Sequence, residues 1–192
     1  NKITDSAIIN TVSSTIDSKV NAGVSNIKLG NANLFKGFPT IEPYELPIYQ
    51  DVGSFKQFSN NFAFDPADYI GEQFTISFYA KSPNGAGKLQ LYNRNINPRY
   101  FYFEPVILTN SLGNEWQYFT HTITNIDRGE GFTPSNKIEI YSPDKKGVLV
   151  KEVKIEKGNK ATAWCPSFAD IEQSISESEK VLNENIDNAI SD

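Results

Sequence analysis

The sequence predicts a mainly β protein: an antiparallel β-sandwich of the jelly-roll kind, flanked by N- and C-terminal helices. Three observations carry this expectation. Every aromatic residue lies between Phe35 and Phe168 and every proline between Pro39 and Pro166, so the chain divides near residues 30 and 166. Within the middle part apolar residues alternate with polar ones, the period of a half-buried strand. In both flanks they recur every three or four residues, the period of a helix.

The first segment, residues 1–30, places Ile9, Val12, Ile16, Val20, Val24 and Ile27 on one helical face. Thr4 or Asp5 is positioned to cap its start. Its many Ser, Thr and Asn residues compete for backbone hydrogen bonds, and the apolar stripe is narrow, so this helix requires a partner. The middle, residues 31–166, is electrically balanced, with 14 basic and 14 acidic residues. Gln73 to Lys81 alternates, with Phe74, Ile76, Phe78 and Ala80 on one face and Thr75, Ser77, Tyr79 and Lys81 on the other. Pro83, Gly85 and Gly87 then make a turn. Lys88 to Arg94 alternates again, with Leu89 and Leu91 inward and Gln90, Tyr92 and Arg94 outward. Further strands are expected over Tyr100–Leu108, Trp116–Ile126, Lys137–Tyr141 and Val148–Ile155. With no crossover helices between them, these strands form an antiparallel two-sheet sandwich rather than a parallel sheet. Tyr44, Tyr49, Phe55 and Phe58 fall in a segment that reads as irregular, either a loop wall of a binding site or cover for the sandwich edge.

The last segment, residues 167–192, repeats the helical theme through Ile171, Ile175, Leu182, Ile186 and Ala189, with Ser178 interrupting. Seven acids and one base make the rest of that helix a solvated face. The two stripes either pair with each other as a hairpin or meet their copies in other subunits as short coiled coils. The oligomer is the favoured reading, and a trimer within it, because Ile and Val dominate the first stripe.

Several function classes are excluded at this point. The net charge of −5, from 18 Lys and Arg against 23 Asp and Glu, does not suit general nucleic-acid binding, which needs a basic face. No apolar run is long enough to span a membrane as a helix, and no leader pattern opens the chain. The start at Asn1 and the absence of Met suggest a piece of a longer protein. One cysteine, Cys165, rules out a disulfide framework or a cysteine-based zinc cluster. The single histidine, His121, would have to serve any Ser-His-Asp or Cys-His arrangement, yet it sits inside an expected strand. The spacing of Glu104, Glu115, Glu130 and Glu139 favours no catalytic carboxylate pair. Asp65 and Asp68 could offer oxygens to calcium but suit turn caps better. No phosphate loop, dinucleotide loop or metalloprotease helix motif occurs. Neither cofactor nor metal is expected, and no catalytic residue.

What remains is aromatic and planar polar residues facing away from the core. Sugar rings stack their C–H faces on Tyr and Trp, and their hydroxyls pair with Arg, Asn, Gln and carboxylates. The stretch from Gln90 to Glu104 has this composition. The expected ligand-binding set is Tyr92, Arg94, Arg99, Tyr100 and Tyr102, with Trp116 or Tyr118 at its edge.

A closing phrase, Lys154-Ile155-Glu156-Lys157-Gly158-Asn159-Lys160-Ala161-Thr162-Ala163-Trp164, followed by Pro166 and Asp170, carries a resemblance. So do Asn33-Leu34-Phe35 as a module start, Glu72 to Lys81 as a first long strand, and Gly113-Asn114-Glu115-Trp116-Gln117-Tyr118 as a turn and strand. Residues 31–166 resemble carbohydrate-binding modules in tail and baseplate proteins of siphophages that infect Gram-positive bacteria. The resemblance implies a galactose-binding-like jelly roll, a virion tail location exposed to the host surface, host cell-wall polysaccharide and other tail proteins as partners, and helical, often trimeric, shaft segments on either side. It implies a non-catalytic module for host adhesion. A spacer or docking module of the tail, and a fragment of a polysaccharide depolymerase, are the alternatives. Read from the residues alone, the phrase is structural: Val153 and Ile155 fill the core, Glu156 and Lys157 leave it, Gly158 turns, and Trp164 folds back over the sandwich end.

Overall fold

The computed structural model describes residues 14, 32–37, 42–49, 53–58, 62–92, 99–132 and 138–191. The first apolar stripe, Ile9 to Ile27, and the candidate Arg94 lie outside the described residues, as do the side chains of Tyr49, Phe55 and Phe58.

Among the described residues, nine antiparallel strands form two sheets. They are β1 (Tyr44–Glu45), β2 (Ile48–Tyr49), β3 (Gly53–Phe58), β4 (Gln73–Lys81), β5 (Gly87–Tyr92), β6 (Val106–Leu112), β7 (Gln117–Thr124), β8 (Ile138–Ser142) and β9 (Leu149–Lys157), followed by helix α1 (Phe168–Ser191). One sheet runs β1-β9-β4-β7, the other β2-β3-β8-β5-β6. The expected sandwich with a C-terminal helix is therefore present, and its core lies between the sheets. Phe74, Ile76, Phe78 and Ala80 of β4, Leu89 and Leu91 of β5, Ile138 and Ile140 of β8, and Val150, Val153 and Ile155 of β9 are all buried there. Each of these side chains except Ala80 contributes about 1.5–3 kcal/mol by leaving water.

Three expectations are corrected. The segment from Tyr44 to Phe58 contains three strands, not an irregular run, with β3 paired along β8 from Ser54↔Ser142 to Phe58↔Ile138. Gly53 opens β3 at φ +116, where a Cβ would collide with the Ser142 carbonyl oxygen. Residues 100–105 are not strand, and β6 begins only at Val106. Phe101 turns into the core at φ 49, left-handed backbone that costs about 1–3 kcal/mol. Burial of its ring against Phe62, Phe64 and Phe74, with centroids 5.4, 6.1 and 5.2 Å away, offsets that strain. Finally, Glu156, expected to leave the core, is fully buried together with Lys154.

That burial comes from the chain beyond β9. Lys154 and Glu156 point to the outer face, and the segment after Gly158 crosses over them as a strap. Lys154 Nζ donates to Thr162 Oγ1 at 2.7 Å and to the Ala163 carbonyl at 2.8 Å. Glu156 accepts from the Thr162 N–H at 2.7 Å and from its hydroxyl at 2.6 Å. The two charged groups lie 3.4 Å apart. At the strap's end, Trp164, Pro166 and Phe168 line an apolar pocket of about 380 Å³ with Ala32. Ser167 caps α1, its hydroxyl accepting from the Asp170 N–H at 3.2 Å, while Asp170 accepts from the Gly37 N–H at 2.7 Å. Asn33 completes the closure by donating to the Val153 carbonyl and accepting from the Ile155 and Phe35 N–H groups. The start and the end of the block are thus tied to the same strand.

Candidate functional site

The turn Ser82–Ala86 joins β4 to β5, so β5 ends where β4 begins. β7 also ends there, since Thr124 pairs with Gln73. This end of the sandwich gathers Tyr92, the segment after Arg99 and the loop after Thr124.

Arg99 and Asp127 form a two-pronged ion pair, Nε to Oδ1 at 2.7 Å and Nη2 to Oδ2 at 2.8 Å. Asp127 also accepts from the Gly129 N–H at 2.8 Å. The Arg99 guanidinium and that N–H hold the Asp127 carboxyl down at about 2, and Asp127 in turn raises the Arg99 pKa further above its ordinary value. The Arg128 guanidinium lies 4.1 Å from the Tyr102 ring centre and 3.9 Å from that of Phe132. The Tyr102 hydroxyl donates to Glu104, whose carboxylate raises the tyrosine's pKa. An N–H from Arg128 to the Arg99 carbonyl, 3.2 Å, ties the two loops together. The result is an exposed Tyr102 ring and a half-buried Phe132 ring, with guanidinium and carboxylate groups beside them. Such a surface can stack a sugar ring and pair with its hydroxyls.

The expected set is only partly brought together. Arg99 and Tyr102 belong to this end. Tyr100 is 8% exposed and joins the core, because the turn at Phe101 breaks the alternation that placed it beside Tyr102. Tyr92 closes β5 at the same end, on the outer face of the five-stranded sheet, its ring 6.0 Å from that of Tyr141 and its backbone opposite the buried Glu139. Trp116 and Tyr118 do not edge this site. They stand at the start of β7, and its eight residues put about 23 Å between the two ends. They lie instead on the outer face of the four-stranded sheet, beside Tyr79, Lys81 and Lys151. Asp127, Arg128 and Phe132 escaped the sequence reading because no alternation reaches their loop. Tyr79 and Lys81 did carry a signal: both fall on the polar face of their strand.

His121 faces inward, paired across the ladder with Ile76 and 6.1 Å from the Phe103 ring. Burial lowers its pKa. Asp65 caps the short helix Pro66–Tyr69 by accepting from the Ala67 N–H at 2.9 Å. Among the described residues, no group of three or more His, Cys, Asp or Glu side chains is placed to hold a metal.

No family model matches the chain, and no curated protein matches it. The solved structures to which it is similar include phage baseplate and carbohydrate-binding proteins. The tripod BppUct-A-L from the baseplate of bacteriophage Tuc2009 is 15% identical with a TM-score of 0.47, over 73% of this chain and 60% of that one, so the chain spans less than two thirds of its length. The carbohydrate binding module CBM6cm-2 from Cellvibrio mixtus lichenase 5A, solved with cellotriose, is 18% identical with a TM-score of 0.35, over 58% of this chain and 76% of that one. The CBM22-2 xylan-binding domain of Paenibacillus barcinonensis Xyn10C is 15% identical with a TM-score of 0.34, over 67% of this chain and 94% of that one.

Proposed function

We propose that this chain is a non-catalytic saccharide-binding module of a phage tail or baseplate protein, adhering to cell-wall polysaccharide of a Gram-positive host. The carrying observation is the Arg128 guanidinium held between the Tyr102 and Phe132 rings, next to Glu104 and the Arg99–Asp127 pair. Tyr92, at the end of β5, extends the site, and Arg94, which lies outside the described residues, is kept as a candidate from the sequence. A shallow platform of this kind gives about millimolar to micromolar affinity per copy. Adhesion then depends on many copies acting together. Helix α1 supplies a route to such copies: Val181 is 55% and Leu182 46% exposed on a helix of 24 residues, a face suited to self-association, as a trimer, or to other tail proteins.

A fluorescent fusion of the full chain, applied to Gram-positive cells and to their purified wall polysaccharides, tests the reading. Labelling is expected, and Arg128→Ala should weaken it by about 1.5–3 kcal/mol where the guanidinium makes a charge-assisted contact. Its melting temperature should fall by a few degrees at most, because each of the two ring contacts contributes about 0.5–1 kcal/mol. A chain that labels no cell at any valency is a spacer. Labelling that fades while the polysaccharide shortens identifies a depolymerase.

A further inference from the structure

The saccharide reading leaves one surface unused, at the opposite end of the sandwich. On the outer face of the four-stranded sheet, Tyr79 of β4 pairs across the ladder with Tyr118 of β7, their rings 4.9 Å apart, and Tyr118 is 48% exposed. Trp116 continues the aromatic row from just before β7. Two ammonium groups converge on its indole. Lys81 Nζ lies 4.9 Å from the ring centre and Lys151 Nζ 5.1 Å, the latter also 5.3 Å from Tyr79. Lys151 has a carboxylate partner, Glu152, at 3.3 Å. Lys81 has no ion pair among the described residues.

This patch has a sharp inner border. Further along β9 on the same face, the strap from Thr162 covers Lys154 and Glu156 completely. The chain therefore covers that part of the face with its own backbone, whereas Tyr118 is exposed and Tyr79, Trp116, Lys81 and Lys151 are half-exposed. The Lys81 and Lys151 ammonium groups stand over the rings, so a ligand seated on Trp116 meets them directly.

We propose that Tyr79, Trp116 and Tyr118, with Lys81 as the chief anion contact, form a second binding surface for the anionic units of the host polymer. A sugar or polyol unit stacks on Trp116 while its phosphate or carboxylate meets Lys81. This inference rests on the saccharide-module reading and adds a distinct site and ligand charge to it. Phosphodiester and uronate share the chemistry, and the test separates them.

The full chain is titrated with glycerol-phosphate trimer, galacturonate trimer and neutral xylotriose, following the Trp116 indole N–H by NMR, assigned with Trp116→Phe. One anionic trimer should move that signal, neutral xylotriose should not, and binding should weaken as salt is raised. Lys81→Gln should weaken the anionic trimer about tenfold. It should leave Arg128-dependent cell labelling detectable, and Arg128→Ala should leave the Trp116 response intact. A Trp116 signal that ignores both anions, responds as strongly to xylotriose, or is unchanged by Lys81→Gln overturns the proposal. If cells are labelled through the Arg128 end while Trp116 stays silent, this inference alone falls. If no cell is labelled, the module reading falls, and the proposal with it.

Discussion

Glu156→Gln is the perturbation whose cost follows most directly from the structure. The Glu156 side chain is fully buried, accepts two hydrogen bonds from Thr162, and lies 3.4 Å from a Lys154 side chain that is itself 1% exposed. The amide nearly preserves shape but leaves the Lys154 ammonium buried without a counter-charge. Breaking one partner of such a pair costs about 3–5 kcal/mol. At roughly 2–4 °C per kcal/mol for a chain of this size, melting should fall by about 6–20 °C. Lys154→Met should cost a similar amount. The double variant Lys154→Met/Glu156→Leu should cost much less than their sum, because no charge remains buried, although the strap loses its bonds to Thr162 and Ala163. Thermal and urea unfolding, followed by near-ultraviolet circular dichroism to register Trp164, measures all three. If both single variants stay within about 1 kcal/mol of the parent and add in the double, the pair is solvated and the strap is not held as described.

Burial lowers the His121 pKa in the fold below its ordinary 6.5, so this contribution to stability is full above that pH and declines as pH drops through it. His121→Leu should flatten the slope of melting temperature between about pH 7 and pH 5. Asp127 titrates at about 2 in the fold against 3.8 ordinarily, so its contribution is present above the ordinary value and lost as pH falls toward 2. Asp127→Asn should remove that part of the acid sensitivity, read from melting curves between about pH 4 and pH 2. Val181→Ser/Leu182→Ser should shift the full chain toward monomer in sedimentation velocity without altering the sandwich's melting. An unchanged monomer before and after the substitutions would favour pairing of the two stripes within one chain.

The sequence reveals those parts of the fold in which side-chain burial and backbone period coincide. β4 was legible to the residue because its inward positions are all apolar and its outward ones polar or amphipathic. β1 and β2 were not, since two-residue strands are too short to show an alternation, and β3 depends on Gly53 passing beside Ser142. Phe101 shows the opposite failure: one left-handed residue moved Tyr100 from the expected face into the core, while Tyr102 kept its exposure. Charges were the least legible. Arg99 finds Asp127 at a separation of 28 residues, and Lys154 and Glu156 are buried only because Thr162 returns over them. A block with equal basic and acidic counts reads as featureless in one dimension. In three, four charges of each sign meet in pairs among the described residues, and Lys81 is distinguished by standing over the Trp116 ring.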